Sequence, residues 1–117
     1  MIGEAAPVGA ATLTITGPHP LTVELTESVV IGRDPGCGVV LDDVTVSRRH
    51  AELRREGNLV VLEDLGSLNG TYLNRSPVQR AVLHDGDAIW IGDHRMIFRA
   101  PRPARRPVDL RPLARAS

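Results

Sequence analysis

Between residues 12 and 26 the chain writes the same two-residue alternation twice, on either side of a Gly/Pro break. Leu13 and Ile15 alternate with Thr12, Thr14 and Thr16, and Leu21, Val23 and Leu25 alternate with Thr22, Glu24 and Thr26. Gly17-Pro18-His19-Pro20 separates the two runs. Successive side chains of a strand point to opposite faces, so each run buries one face, and the break predicts a β-hairpin. The pattern continues in short pieces. Val29 to Ile31, Val39 to Leu41, Ala51 to Arg54, Leu59 to Leu62, Val82-Leu83, Ile89 to Ile91 and Met96 to Phe98 are each bounded by Gly, Asp or Asn clusters. Apolar residues nowhere recur at helical spacing over three turns. Many short strands with frequent turn signals predict an all-β sandwich. Its core must be aliphatic, because thirteen Val, thirteen Leu and six Ile stand against one Phe, one Trp and one Tyr.

With 117 residues the chain is expected to form one domain. Fourteen Arg, with no Lys, balance fourteen acidic residues, which removes the simplest argument for a general nucleic-acid binder. The single cysteine, Cys37, has no partner for an intramolecular disulfide and reads as an incidental loop thiol. No apolar run reaches the roughly 18 residues of a membrane span, and Met1 to Ala10 lacks the pattern of a signal peptide. The expectation is a cytoplasmic monomer. Residues 1–10 read as a flexible arm and 11–99 as the folded domain. Residues 100–117, with four Pro and five Arg against one acid, read as a disordered tail.

Three segments between strands hold a distinctive set of polar residues. They are Gly32-Arg33-Asp34-Pro35, Thr45-Val46-Ser47-Arg48-Arg49-His50, and Gly66-Ser67-Leu68-Asn69-Gly70-Thr71. Loops of a sandwich cluster at its two ends, and function tends to sit on such loops. If these meet at one end, Arg33 and Arg48 or Arg49 offer guanidinium forks, and Ser47 and Ser67 offer hydroxyls. Asn69 offers an amide able to read peptide backbone. That donor-rich set suits a tetrahedral dianion, and a phosphorylated side chain carries roughly −1.5 to −2 charge with three acceptor oxygens.

In order and spacing, Gly32-Arg33, the S-R-R-H run at Ser47 to His50 and Asn69-Gly70 resemble the forkhead-associated (FHA) domain. The stretches from Leu41 to Glu52 and from Gly66 to Arg75 are similar to small bacterial FHA proteins of the glycogen accumulation regulator type. The resemblance implies a β-sandwich of about eleven strands that binds phosphothreonine peptides at one end, without a cofactor or catalysis. By that similarity Arg33, Ser47, Arg48 and Ser67 contact phosphate, Asn69 holds the peptide main chain and Thr45 lines the site. Gly32, His50 and Gly70 shape the loops. The implied partners are phosphothreonine proteins, substrates of a Ser/Thr kinase or the kinase itself. Related regulators place a phosphorylatable Thr in an N-terminal arm; residues 1–10 contain neither Thr nor Ser, so a switch of that kind is not expected.

Other readings accompany these residues. Arg33 could pair with Asp34 in a surface turn, and alternation along a strand would send Arg48 and Arg49 to opposite faces. Ser47 and His50 invite a hydrolase reading, although no G-x-S-x-G elbow is present. Asp34, Asp42 and Asp43 read as turn formers rather than a cation site, and Asn69-Gly70 could be a type I′ turn. The sandwich could dock partners without phosphate, and the Arg-rich tail could touch nucleic acid.

Overall fold

The computed structural model describes residues 11–100. The arm at 1–10 and the tail residues 101–117 lie outside the described residues. Eleven strands follow one another: β1 (Thr12–Ile15), β2 (Leu21–Glu24), β3 (Val29–Gly32), β4 (Val39–Val40), β5 (Ala51–Glu56), β6 (Leu59–Asp64), β7 (Tyr72–Leu73), β8 (Ser76–Pro77), β9 (Arg80–Val82), β10 (Ala88–Ile91) and β11 (His94–Arg99). Among the described residues there is no helix. The strands form a six-stranded sheet, β2-β1-β11-β10-β7-β8, and a five-stranded sheet, β4-β3-β5-β6-β9.

The alternation read from the sequence is the alternation of burial in β5, β10 and β11. In the hairpin Leu13 and Leu25 are buried and Ile15 and Val23 half-buried, but Leu21, next to the turn on an edge strand, is 58% exposed. β1 and β2 pair as the expected antiparallel hairpin, Thr12 opposite Glu24 and Ile15 opposite Leu21. Leu13 is fully buried and lies opposite Phe98 on β11. Leu25, Ile31, Leu53, Leu62, Ile89, Ile91 and Met96 complete the centre between the sheets. Phe98 is the only aromatic in this core. Removing such a side chain to Ala costs roughly 3–5 kcal/mol, because the cavity collapses only in part.

Three details differ from the sequence reading. The segment after Thr71 folds as a tight β7–β8 hairpin around Asn74-Arg75, both at positive φ (49° and 76°). Pro77 sits in β8, the edge strand of its sheet, where its missing N–H breaks no ladder. The run at Val82-Leu83 is displaced: β9 starts at Arg80 and ends at Val82, and Leu83 is buried just beyond it. Ala100, grouped with the tail by composition, still packs against the core and donates its N–H to Asp85 at 3.0 Å.

The strand pair β3–β4 sets up the loops. It is parallel, with Ile31 beside Val39 and Gly32 beside Val40. β4 is only two residues long, so residues 33–38 suffice to return the chain. That return carries Arg33 out of the sheet at the same end as the β4–β5 and β6–β7 loops.

Candidate functional site

The β3–β4 and β4–β5 loops are zipped together by backbone bonds that prolong the sheet. His50 N donates to Ile31 O at 2.8 Å, Arg33 N to Ser47 O at 3.0 Å, and Asp34 N to Arg48 O at 3.2 Å. The approach is so close that a Cβ on Gly32 would overlap the Arg48 carbonyl oxygen, with the carbonyl carbon 2.7 Å away. Only glycine fits there. Arg33 is half-buried, and its Nε donates to Val46 O at 3.0 Å. That bond fixes the side chain and leaves the four N–H groups of the two terminal nitrogens without a partner among the described residues. No Arg33–Asp34 pair forms; Asp34 Oδ1 instead accepts the N–H of Gly36 at 2.8 Å.

The β6–β7 loop is organised by a residue that the motif reading passed over. Asp64, at the end of β6, is buried and accepts four hydrogen bonds. The N–H groups of Gly66 and Ser67 reach Oδ1, both at 2.8 Å. The hydroxyls of Ser67 and Thr71 reach Oδ2 at 2.6 and 2.7 Å. Burial pushes the Asp64 carboxyl up, but these bonds, with the Ser67 hydroxyl foremost, overcome it and hold the group below the ordinary Asp range. The signal available in sequence was Asp followed two residues later by Gly, an Asx-turn pattern.

Two bonds dock this loop onto the others. Leu68 N donates to Ser47 Oγ at 3.1 Å, and Asn69 Nδ2 donates to Thr45 O at 2.8 Å. Beneath them His50 is fully buried. Its Nδ1 accepts the Ser47 backbone N–H at 3.0 Å, which requires the proton on Nε2, and Nε2 donates to Gly70 O at 2.8 Å. One imidazole thus ties the β4–β5 loop to the β6–β7 loop.

The three loops anticipated from sequence therefore meet, but their side chains are differently committed. Ser47 Oγ accepts one bond, and its own O–H has no acceptor among the described residues. Ser67 differs: its O–H goes to Asp64, and its oxygen accepts Gly70 N at 2.9 Å. The Thr45 hydroxyl donates to Asp43 Oδ1 at 2.8 Å, as does the Thr45 N–H. These bonds, the backbone one largest, lower the Asp43 carboxyl, with His94 Nε2 at 3.1 Å from Oδ2 adding to the effect. Asn69 keeps its Oδ1 and one N–H. Arg48 and Arg49 are both exposed in the bend before β5, so strand alternation does not divide them. Among the described residues, Arg33, Arg48 and Arg49 lie against no carboxylate. On the outer face of the other end of the sheet, Arg54 and Arg80 are bound into a network with Glu52, Glu56 and Glu63.

The family model described as the FHA domain matches residues 29–92, the span that contains all three loops. This chain belongs to the FHA domain family. It is 48% identical over 98 residues to the glycogen accumulation regulator GarA of Mycobacterium tuberculosis (strain ATCC 25618 / H37Rv), covering 81% of this chain and 60% of the regulator. It is equally similar, 48% over 98 residues, to the oxoglutarate dehydrogenase inhibitor of Corynebacterium jeikeium, covering 81% of this chain and 68% of the inhibitor. The FHA domain of FhaA, solved in complex with the intracellular domain of Rv3910, superposes with a TM-score of 0.74. The two are 42% identical, over 77% of this chain and all of that one. Mycobacterium tuberculosis EmbR in complex with a low-affinity phosphopeptide superposes with a TM-score of 0.73 at 29% identity, over 83% of this chain and 26% of EmbR. The all-β sandwich expected from the sequence is the fold of this family.

The geometry of this FHA domain also removes several side readings. His50 meets the Ser47 backbone and not its hydroxyl, and both ring nitrogens are occupied, so it cannot serve Ser47 as a general base. Asn69 is not at positive φ, so Asn69-Gly70 is not a type I′ turn; that geometry belongs to Asn74-Arg75. Cys37 stays a free loop thiol, as read from the sequence, with its Sγ donating to Arg48 O at 3.3 Å.

Proposed function

We propose that this FHA domain is a non-catalytic adaptor that binds phosphothreonine in partner proteins marked by a Ser/Thr kinase, or in the kinase itself, in the cytoplasm. One observation carries the reading. Among the described residues the Ser47 hydroxyl has no acceptor for its hydrogen, and Arg33, Arg48 and Arg49 in the same loop cluster face no carboxylate. A phosphate ester supplies what those groups lack: acceptor oxygens and negative charge.

Arg33 and Arg48 hold the phosphate oxygens with their guanidinium N–H groups, and Ser47 donates its hydroxyl to a third. Asn69 reads the peptide main chain with its remaining N–H and Oδ1, while its bond to Thr45 O fixes the amide plane. Thr45 lines the site through that carbonyl. Ser67 acts one step back. Its donor hydrogen is spent on Asp64, so it braces the loop that carries Leu68 and Asn69 and makes no phosphate contact. Gly32, His50 and Gly70 hold the loops in register. The names of the relatives, a regulator and an inhibitor, and the phosphopeptide complex of EmbR support a binding role.

The test is a titration of one phosphothreonine peptide, chosen from a library screen, and its unphosphorylated twin. The phosphorylated peptide binds at least about a hundredfold more tightly, because two or more charge-assisted bonds of roughly 1.5–3 kcal/mol each are absent from the twin. Equal affinity for the two peptides would overturn the reading.

A further inference from the structure

The chain has three aromatic residues, and only Phe98 is spent on the core. Tyr72 and Trp90 lie directly opposite each other on β7 and β10, and Trp90 lies opposite Arg95 on β11. Their neighbours Ile89, Ile91 and Met96 are buried, so Tyr72, Trp90 and Arg95 form a cross-strand row on the outer face of the six-stranded sheet. The row begins beside the site described above, where the Tyr72 ring packs on Gly70, 3.4 Å from the position a Cβ would take.

The adjoining β7–β8 turn adds a second cation. Asn74 and Arg75 both hold positive φ, and the second position of such a turn ordinarily falls to glycine. The strained turn is pinned by Asn74, whose N–H donates to Ala88 O at 2.8 Å. The Asn74 side chain joins Asp87 Oδ1 at 2.9 Å and Ala88 N at 3.0 Å. Asn74, Arg75, Ala88, Trp90 and Arg95 line one shallow concavity of about 260 Å³. Among the described residues, neither Arg75 nor Arg95 meets a carboxylate. Backbone strain kept in place by surrounding bonds is a feature of binding sites, and Trp, Tyr and Arg are the residue types that dominate interface energetics.

We infer that the Tyr72–Trp90–Arg95 row, with Arg75, is a second docking face that takes an acidic segment of a partner protein without phosphate. Carboxylates of the segment engage the two guanidinium groups, and its aliphatic stems cover the indole. Charge complementarity selects this occupant. Among the described residues the two cations are unpaired, while the full chain balances fourteen Arg against fourteen acids. The whole chain therefore offers a long polyanion such as a nucleic acid no net attraction, whereas a short acidic segment needs only the local patch. The inference stands apart from the phosphothreonine reading, since it uses none of Arg33, Ser47 or Arg48.

Trp90 is the only tryptophan, so its emission reports on this face alone. The full chain is titrated with a short oligoglutamate peptide, with oligoglutamine and with a single-stranded oligonucleotide. The wild-type chain and the variants Arg75→Ala/Arg95→Ala and Arg33→Ala are compared. The expected result is a saturable, salt-sensitive change with oligoglutamate only. The double variant weakens it by at least about tenfold, and Arg33→Ala leaves it unchanged. No saturable change, loss in Arg33→Ala instead, or tighter binding of the oligonucleotide would overturn the inference. So would a Trp90 change on concentrating the chain alone that accompanies a doubled mass, which would assign the face to a second copy.

Discussion

Ser47 donates its backbone N–H to Nδ1 of His50 at 3.0 Å, while its hydroxyl faces away toward Leu68 N. His50 is therefore a strut between two loops, reaching Gly70 O with its other nitrogen. His50→Ala leaves two backbone groups without partners and opens a cavity. The loss should be roughly 2–4 kcal/mol of folding stability, measured by chemical denaturation, with weakened phosphopeptide binding as a consequence. An unchanged denaturation midpoint would show that the strut carries little.

The two serines separate cleanly by the direction of their hydroxyl hydrogens. Ser47→Ala should weaken phosphothreonine-peptide binding by roughly 10- to 150-fold, the worth of one charge-assisted bond, with the melting temperature nearly unchanged. Ser67→Ala should do the reverse. It removes a buried bond to Asp64 and lowers the melting temperature, with the smaller effect on affinity. Calorimetric titration and thermal melts of both variants measure the contrast.

Asp64 makes the fold acid-sensitive. Its carboxyl titrates lower in the folded chain than when unfolded, so its contribution is complete above the ordinary Asp value. That contribution is lost as pH falls below about 4 toward the folded value. Asp64→Asn should cost roughly 1–3 kcal/mol at neutral pH, since an amide cannot accept all four bonds. It should also flatten the stability profile below pH 4. Denaturation midpoints of both proteins across the acid range check the prediction.

Among the described glycines, Gly32→Ala should be the most damaging added methyl. The new Cβ would overlap the Arg48 carbonyl, and backbone cannot step aside as a flexible side chain does. A loss above about 3 kcal/mol is expected, together with lost phosphopeptide binding, because the same contact sets Arg33 beside Ser47.

Strand alternation was legible because burial with period two is written directly into Leu13, Ile15, Val23 and Leu25, although Leu21, next to the turn on the edge strand, stays exposed. The loops were legible because Arg33, Ser47 and Asn69 are few, polar and placed at strand ends. Asp64 was not, since a carboxylate at the end of a strand looks the same whether it faces water or gathers four bonds from the next seven residues. The duties of Ser67 and Thr45 were hidden for the same reason: a sequence gives a hydroxyl without the direction of its hydrogen. The run Ile89-Trp90-Ile91 is uniformly apolar and does not say that the indole faces outward. The Asn74-Arg75 turn lacks the glycine that announces such hairpins.

The central claim, that the Arg33, Ser47 and Asn69 loops together hold the phosphorylated residue, is tested most directly by a residue-resolved NMR titration of the full chain. The probe is the phosphothreonine peptide. The largest backbone shifts are predicted at Arg33, Ser47, Arg48, Leu68 and Asn69. The unphosphorylated twin should leave those signals in place. Shifts centred on the outer face of β5, β6 and β9, with the three loops silent at saturation, would contradict the account.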